Sequence, residues 1–305
     1  MPSHLISIGM PVYNGGDQLR NALDSILAQT YTNFEVILSD NASTDTITRE
    51  VTEEYARRDS RIRLTRQPVT RTATENFLFV LDQAKGDYFL WAAHDDTRSD
   101  NYLERLARRL DDTPDAILAT PETHVATITR TGEIRNDIAV AAPNADRWKT
   151  LDVFLKDCLC VWIYGLFRTT WLKDASRDLT QYEFHGGDMV WMFDVILRGQ
   201  VVGDPEATFF YNVTHASKKK RTSRQKMQTL ATEIYHLTRL VNLRLPRPDR
   251  LKGMTRVVRF LNRHRISRRN PIGTSVHVLK LAAFGTWFGL ESGIRRLCGV
   301  RPIAQ

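Results

Sequence analysis

Two adjacent carboxylates close the run Asp87-Tyr88-Phe89-Leu90-Trp91-Ala92-Ala93-His94-Asp95-Asp96. Side by side their charges repel, and a cation or several hydrogen bonds must offset the cost. Hard oxygen ligands of this kind suit Mg2+ or Mn2+, ions that keep coordination positions open for phosphate oxygens. The structural alternative is a helix start with the pair as N-cap and first residue. A second polar run, Ser39-Asp40-Asn41-Ala42-Ser43-Thr44-Asp45, follows another apolar stretch. Asp40 there could accept hydrogen bonds from a base or a ribose, or the run is a turn into a capped helix. A third, Met10-Pro11-Val12-Tyr13-Asn14-Gly15-Gly16, offers Tyr13 as a stacking platform and glycines that let the backbone turn tightly. The chain contains neither a Gly-x-Gly-x-x-Gly fingerprint nor a Gly-Lys-Ser/Thr phosphate loop.

All three runs stand at the ends of expected strands. Leu5–Met10, Phe34–Leu38 and Tyr88–Ala92 are short apolar runs, with further strands expected at Ile62–Leu64 and Ala116–Ala119. Between them Leu19, Ala22, Leu23, Ile26 and Leu27 recur at helical spacing, and Thr46–Arg58 reads as a polar surface helix capped by Asp45 or Thr44. Phe77, Val80, Leu81 and Ala84 mark a helix stopped by Gly86, and Tyr102, Leu103, Leu106 and Leu110 mark another. This alternation predicts an α/β fold, a mostly parallel sheet flanked by helices, whose ligands bind beyond the carboxyl ends of the strands. Residues 121–160 carry a weak pattern, read as a β-excursion and a loop. Trp162–Phe167 reads as a strand, Met189–Leu197 as an apolar helix, and Val201-Val202 and Thr208–Tyr211 as short strands. Arg224–Leu245 and two basic stretches near 251–264 and 275–297 read as helices.

Taken together, Pro11, Tyr13 and Asn14 after one strand, Asp40, Ser43 and Asp45 after the next, and Asp95-Asp96 after a third resemble family 2 glycosyltransferases of the Rossmann-like GT-A fold. The stretch from Glu75-Asn76-Phe77 through Ala84-Lys85-Gly86-Asp87-Tyr88 is similar to that family's helix leading into its metal strand. The resemblance covers residues 4–115 well and 160–215 loosely. It implies an inverting transfer from a nucleotide-sugar, with Pro11, Tyr13, Asn14, Asp40, Ser43, Asn76, His94 and Asp95 at the donor. It implies Mn2+ or Mg2+ at Asp95 and Asp96, with His215 as a further ligand or a diphosphate contact. The family's Asp-x-Asp motif falls on Ala93-His94-Asp95, so Ala93 stands where its first Asp is expected. Phe184-His185-Gly186-Gly187-Asp188 resembles the segment that holds the family's catalytic base. Asp188 would then deprotonate an acceptor hydroxyl, with His185 and Trp191 on the acceptor side. The plain readings are an N-cap for Asp188 and packing for Trp191. Lys218-Lys219-Lys220-Arg221 would close over a diphosphate or form a solvated charge run.

The 305 residues carry a net charge of +8 that is unevenly spread. Residues 216–305 hold 21 Lys and Arg against 3 Asp and Glu, whereas residues 1–215 hold 22 against 32. We therefore expect a transferase domain over 1–215, with a nucleotide-sugar half to about 120 and an acceptor half beyond it. A basic α-helical region over 216–305 would follow. That region calls for a polyanion. Val257, Val258, Phe260 and Leu261 among arginines, and the apolar stripe of Leu279, Ala283, Trp287, Leu290 and Ile294, suit in-plane contact with anionic lipid. The expected partners are a nucleotide-sugar, a UDP-sugar favoured, and a glycan or lipid-linked acceptor of cell-surface polysaccharide or glycolipid synthesis. Nucleic acid is not expected, because it would leave the Asp-rich strand ends without purpose; a homo-oligomer is compatible with the sequence. Cys158, Cys160 and Cys298 form neither a disulfide framework nor a zinc spacing, which suits a reducing compartment. The N-terminus shows no basic-then-apolar leader, and the longest apolar run, Val278–Leu290, is too short to span a bilayer. A cytoplasmic protein, peripheral on the inner membrane face, is the expectation. Two alternatives are a sugar nucleotidyltransferase, which lacks here its Gly-rich basic loop, and a catalytically impaired nucleotide-sugar-binding or glycan-binding relative, raised by Ala93.

Overall fold

Seven consecutive residues buried on both faces, Ile6–Val12, make strand β1, and the same two-sided burial marks β2 (Phe34–Asp40) and β4 (Tyr88–Trp91). Strands of this kind read as unbroken apolar runs because helices cover both faces of a parallel sheet. The computed structural model describes residues 4–128, 134–140, 143, 146–157, 160–177, 179–214 and 222–264. Helices α1 (Gln18–Leu27), α2 (Thr46–Arg58) and α3 (Ala73–Asp82) connect β1, β2, β3 (Ile62–Arg66) and β4, which lie parallel in the order β3-β2-β1-β4. The chain first steps outward from β1 and then returns to its other side, so β1 and β4 frame a topological switch point.

Beyond β4 the sheet becomes mixed. Next come β5 (Thr97–Arg98), α4 (Tyr102–Asp111), β6 (Ala116–Ile128), β7 (Ile134–Val140), α5 (Arg147–Asp157), β8 (Leu166–Arg168), α6 (Thr169–Ala175), α7 (Gly187–Arg198) and β9 (Gln200–Thr214). The sheet continues β4-β8-β6-β9-β5, with β7 on β6; only β6 and β9 are parallel in this half. The α/β expectation therefore holds, and the wholly parallel part is its N-terminal half.

Several elements differ from the sequence reading for identifiable reasons. β6 runs nine residues past Ala119, because Thr120 and Thr123 are polar yet buried. The two short strands expected at 201–211 are one strand, β9, whose register on β6 jumps from Asp204 to Thr208. Pro205 lies in that jump and has no N–H to donate, while Arg105 grips Asp204 at 3.0 and 3.1 Å. Cys160–Tyr164 is a 3-10 turn, and of the expected Trp162–Phe167 strand only Leu166 and Phe167 are extended, in β8. Gly86 does not stop α3, which ends at Asp82 with Gln83 as its cap. Gly86 instead lies against β1, where an added Cβ would sit 2.4 Å from Leu5 O and 2.7 Å from Ser7 N.

The chain divides into two compact units. The first holds residues 1–150, 161–180 and 199–217, and with them the whole sheet; the second holds 151–160, 181–198 and 218–305. The segments 151–160 and 181–198 thus group with the basic region, unlike the single cut at 215/216 expected from charge. Within the second unit stand α7, α8 (Ser223–Arg244) and α9 (Arg247–His264). Thr222 and Gln225 close α8 with a capping box, and Asp194 of α7 takes two hydrogen bonds from Arg244 at 2.7 and 3.1 Å. His236 of α8 is buried and stacks on Phe184 at 5.1 Å. No helix among the described residues is long and apolar enough to cross a membrane. The apolar stripe near 275–297 lies outside the described residues.

Two outcomes follow. Gly86→Ala pushes a methyl into the backbone of β1, and urea unfolding should show a loss of about 1–3 kcal/mol; a variant as stable as the parent would refute the close approach. Burial, helped by the charge of Arg239, lowers His236 from the ordinary imidazole value of 6.5 to about 4. The folded state therefore keeps it neutral while the unfolded chain takes up a proton below pH 6.5. Its contribution is intact above 6.5 and declines as pH falls toward 4, by up to about 3 kcal/mol. In His236→Phe the decline over that window should shrink; an unchanged pH slope would contradict the assignment.

Candidate active site

The carboxyl ends of β1 and β4, with the loop after β3 and the start of α3, enclose a cavity of about 430 Å³. Pro11 and Tyr13 come from β1 and its following loop, Ala93, His94 and Asp95 from the loop after β4, and Asn76 from α3. Tyr13 is 47% exposed, so its ring is available for stacking. Asn76 is buried: its Oδ1 accepts from Ser39 Oγ at 2.7 Å and its Nδ2 donates to Ser39 O at 3.3 Å. It thereby locks α3 onto β2 beneath the cavity.

Other expected donor residues hold the walls instead of bordering the cavity. Asn14 takes a left-handed backbone, φ 51°, and its Oδ1 accepts from Thr44 N at 2.9 Å. Its own N–H donates to Ser43 Oγ at 2.9 Å, so Asn14 and Ser43 join the loops after β1 and β2. Asp40 is wholly buried; its Oδ1 accepts from Ser43 N at 2.9 Å and its Oδ2 faces Arg66 Nη1 at 2.9 Å. Asp45 caps α2, accepting from Thr48 N at 2.7 Å.

The two carboxylates after β4 have different surroundings. Asp95 is half-buried and borders the cavity. Asp96 is fully buried, accepts from Asn212 N at 2.8 Å through Oδ1, and has no hydrogen-bond partner for Oδ2 among the described residues. Burial, with the Asp95 charge beside it, pushes Asp96 up to about 7. Asn212 of β9 also donates to Asp95 O at 2.7 Å, so one side chain and its own backbone fix the whole Asp95-Asp96 turn. Nearby Arg98 is buried with no hydrogen bond to its guanidinium among the described residues, and burial lowers it. Its guanidinium stands 5.8 Å from the Tyr102 ring, and Tyr102 Oη donates to Tyr164 O at 2.9 Å, which seats Tyr164 at the cavity wall.

Among the described residues no three His, Cys, Asp or Glu side chains converge on one point. The donor set therefore does not make an all-protein cage. It does fit an ion held by Asp95 at the cavity and completed by phosphate oxygens, whereas Asp96, with its orphaned Oδ2, is fully buried and does not border the cavity. His215 lies outside the described residues.

Sequence reasoning missed Arg71. Its backbone N–H donates to Asn41 Oδ1 at 2.8 Å, and its carbonyl accepts from Asn41 Nδ2 at 3.0 Å. This reciprocal pair pins Arg71 at the cavity mouth with its guanidinium 5.2 Å from the Phe79 ring and no ion pair among the described residues. The available signal was positional: a basic residue just before a Thr72/Glu75 capping box, at the carboxyl end of β3.

In the second unit, Asp188 stands in the first turn of α7, exposed, with Oδ1 accepting from Met189 N at 2.9 Å. A carboxylate there also complements the helix dipole. Gly186 precedes it at φ 87°, where a side chain would be strained. His185 is exposed, whereas Trp191 is 1% exposed and belongs to the core of α7.

Comparison with known proteins gives this geometry a context. The family model "Glycosyl transferase family 2" matches residues 7–169. Glycosyltransferase GlyG of Streptococcus pneumoniae serotype 4 is 34% identical over 108 residues, 35% of this chain and 36% of that protein. An uncharacterized glycosyltransferase of Rickettsia typhi, RT0329, is 36% identical over 102 residues, 33% of this chain and 30% of its own length. The matched stretch thus spans about a third of these relatives. The crystal structure of S. aureus TarS 1-349 in complex with UDP-GlcNAc superposes with a TM-score of 0.66 at 17% identity, covering 96% of this chain and 81% of that one. At that identity the likeness speaks for a shared fold. Because the family model spans more than half of its residues, the chain belongs to glycosyltransferase family 2.

Proposed function

We propose that the protein transfers a sugar from a nucleoside-diphosphate sugar, a UDP-sugar by preference, to a hydroxyl of a glycan or lipid-linked acceptor, with inversion. The observation that carries this reading is the cavity at the β1/β4 switch point, which brings an aromatic ring, a free guanidinium and a carboxylate to one place. A neighbour of the same fold, TarS, has been crystallised with UDP-GlcNAc and with UDP, which supports a uridine donor. Work at the cytoplasmic face of an anionic membrane, in cell-surface polysaccharide or glycolipid synthesis, completes the proposal and draws on the charge of residues 216–305.

In this reading the Tyr13 ring stacks on the base. Arg71, already oriented by Asn41, pairs with a phosphate of the donor. Asp95, with Asp96 beside it, would hold Mn2+ or Mg2+, which supplies Lewis-acid stabilisation of the diphosphate. Asp188 accepts the acceptor's hydroxyl proton while that oxygen attacks the anomeric carbon from the face opposite the phosphate. The carbon–oxygen bond to the diphosphate breaks, its electrons leave with the nucleoside diphosphate, and the anomeric centre inverts. His185, exposed, is assigned to the acceptor side; Trp191, buried, is assigned to packing.

Calorimetric titration of UDP should show binding that Mn2+ strengthens and that Asp95→Ala uncouples from Mn2+. Arg71→Ala should weaken UDP roughly tenfold. Failure of UDP, GDP and dTDP alike to bind, with or without Mn2+, would sink the donor assignment. Asp188→Asn should keep UDP affinity and lower turnover by about 10²–10⁴-fold. A product of retained configuration would remove Asp188 from the base role. Ala93, at the cavity wall where the family's first Asp is expected, favours one second reading, a binder without turnover; release of free sugar from the donor in the absence of acceptor separates the two.

A further inference from the structure

In the second unit α5 and α9 line a cleft of about 280 Å³. Its residues follow helical spacing: Asp152, Leu155 and Lys156 on α5, and Arg256, Arg259, Phe260 and Arg263 on α9. Leu155 and Phe260 are buried and form an apolar floor. Arg256 is held by Asp152, Nη2 to Oδ2 at 2.8 Å. Lys156, Arg259 and Arg263 are exposed, and none meets a carboxylate within ion-pair distance among the described residues. Four cations around one carboxylate repel one another, and an entering anion relieves that cost.

The chemistry of the cleft narrows the anion. Guanidinium forks match phosphate oxygens in pairs, which carboxylate-bearing ligands share only in part. A fully hydrated inorganic ion gains nothing from an apolar floor, whereas a phosphate attached to hydrocarbon buries its first methylenes there, each contributing about 0.8 kcal/mol. The sugar-transfer step described above uses none of these residues.

We propose that the α5/α9 cleft binds a phosphate group carried on an apolar chain, as in the headgroup of an anionic lipid. This deepens the membrane-side part of the proposed function. It is independent of the donor cavity, so UDP titration on the same variants separates the failure of one from the failure of the other. The test is calorimetric titration of dihexanoyl phosphatidic acid, below its micelle concentration, into the full chain. Saturable binding is expected, with little from dihexanoyl phosphatidylcholine or inorganic phosphate. Lys156→Ala with Arg259→Ala should weaken it roughly tenfold, Arg259→Lys, which keeps the charge but loses the fork, should still weaken it measurably, and UDP affinity should not move in either. Arg247→Ala with Lys252→Ala, exposed on α9 but outside the cleft, should leave it unchanged. The proposal is overturned if phosphatidic acid shows no saturable binding, if inorganic phosphate binds as tightly, or if the Arg247/Lys252 variant loses as much as the cleft variant.

Discussion

β1 is hydrogen-bonded along both edges to parallel partners, β2 and β4. That double pairing satisfies its backbone inside the protein and leaves its carboxyl end as the place where the chain must turn out of the sheet. Because the neighbours run the same way, their carboxyl ends open on the same side. Tyr13, Asn41 and Asp95 converge there although they are far apart in sequence. A one-residue slip of β1 against β4 would invert the faces of its side chains and carry Tyr13 away. The complete burial of Ile6, Ile8 and Met10 opposes such a slip.

The walls of the cavity are held by polar groups that are costly to bury. Asp40, Asn76, Asp96 and Arg98 are all nearly or wholly inaccessible to solvent. Each hydrogen bond made inside returns only a small net gain, while a broken one leaves the full desolvation cost. Asn76 is matched to Ser39, and Asp40 to Ser43 through Oδ1, while Asp40 Oδ2 has the charge of Arg66 at 2.9 Å but no hydrogen bond among the described residues. Asp96 and Arg98 are less so, and they flank the loop that presents Asp95. Incompletely matched buried charges collect at functional positions because the surrounding fold supplies the stability that they withhold.

How much of this could be read from the residues alone depends on how each element earns its burial. β1, β2 and β4 were legible because parallel strands covered on both faces need continuous apolar runs. β6 and β9 were not, since Thr120 and Thr123 are polar in composition yet buried, and Pro205 divides β9 into two apparent strands. Gly86 looked like a helix stop, whereas its role is to let two backbones approach, a contact between distant segments that no local pattern carries. The candidate site followed the same division. Tyr13 and Asp95 lie directly after legible strands and were found. Arg71 depends on a loop shape set by Asn41, thirty residues away, and was not.

Asn212 makes the order of synthesis matter. The side chain and backbone that hold Asp95 and Asp96 come from β9, 116 and 117 residues later in the chain. As the polypeptide leaves the ribosome, β1 through β4 can pair while β9 is still unmade, since contacts near in sequence close before distant ones. During that interval Asp96 has no N–H from Asn212, and the carboxylate pair has only solvent for company. A nascent chain short of Asn212 would therefore carry the parallel half of the sheet without a fixed Asp95. The turn that carries Asp95 and Asp96 is completed only once β9 has been made.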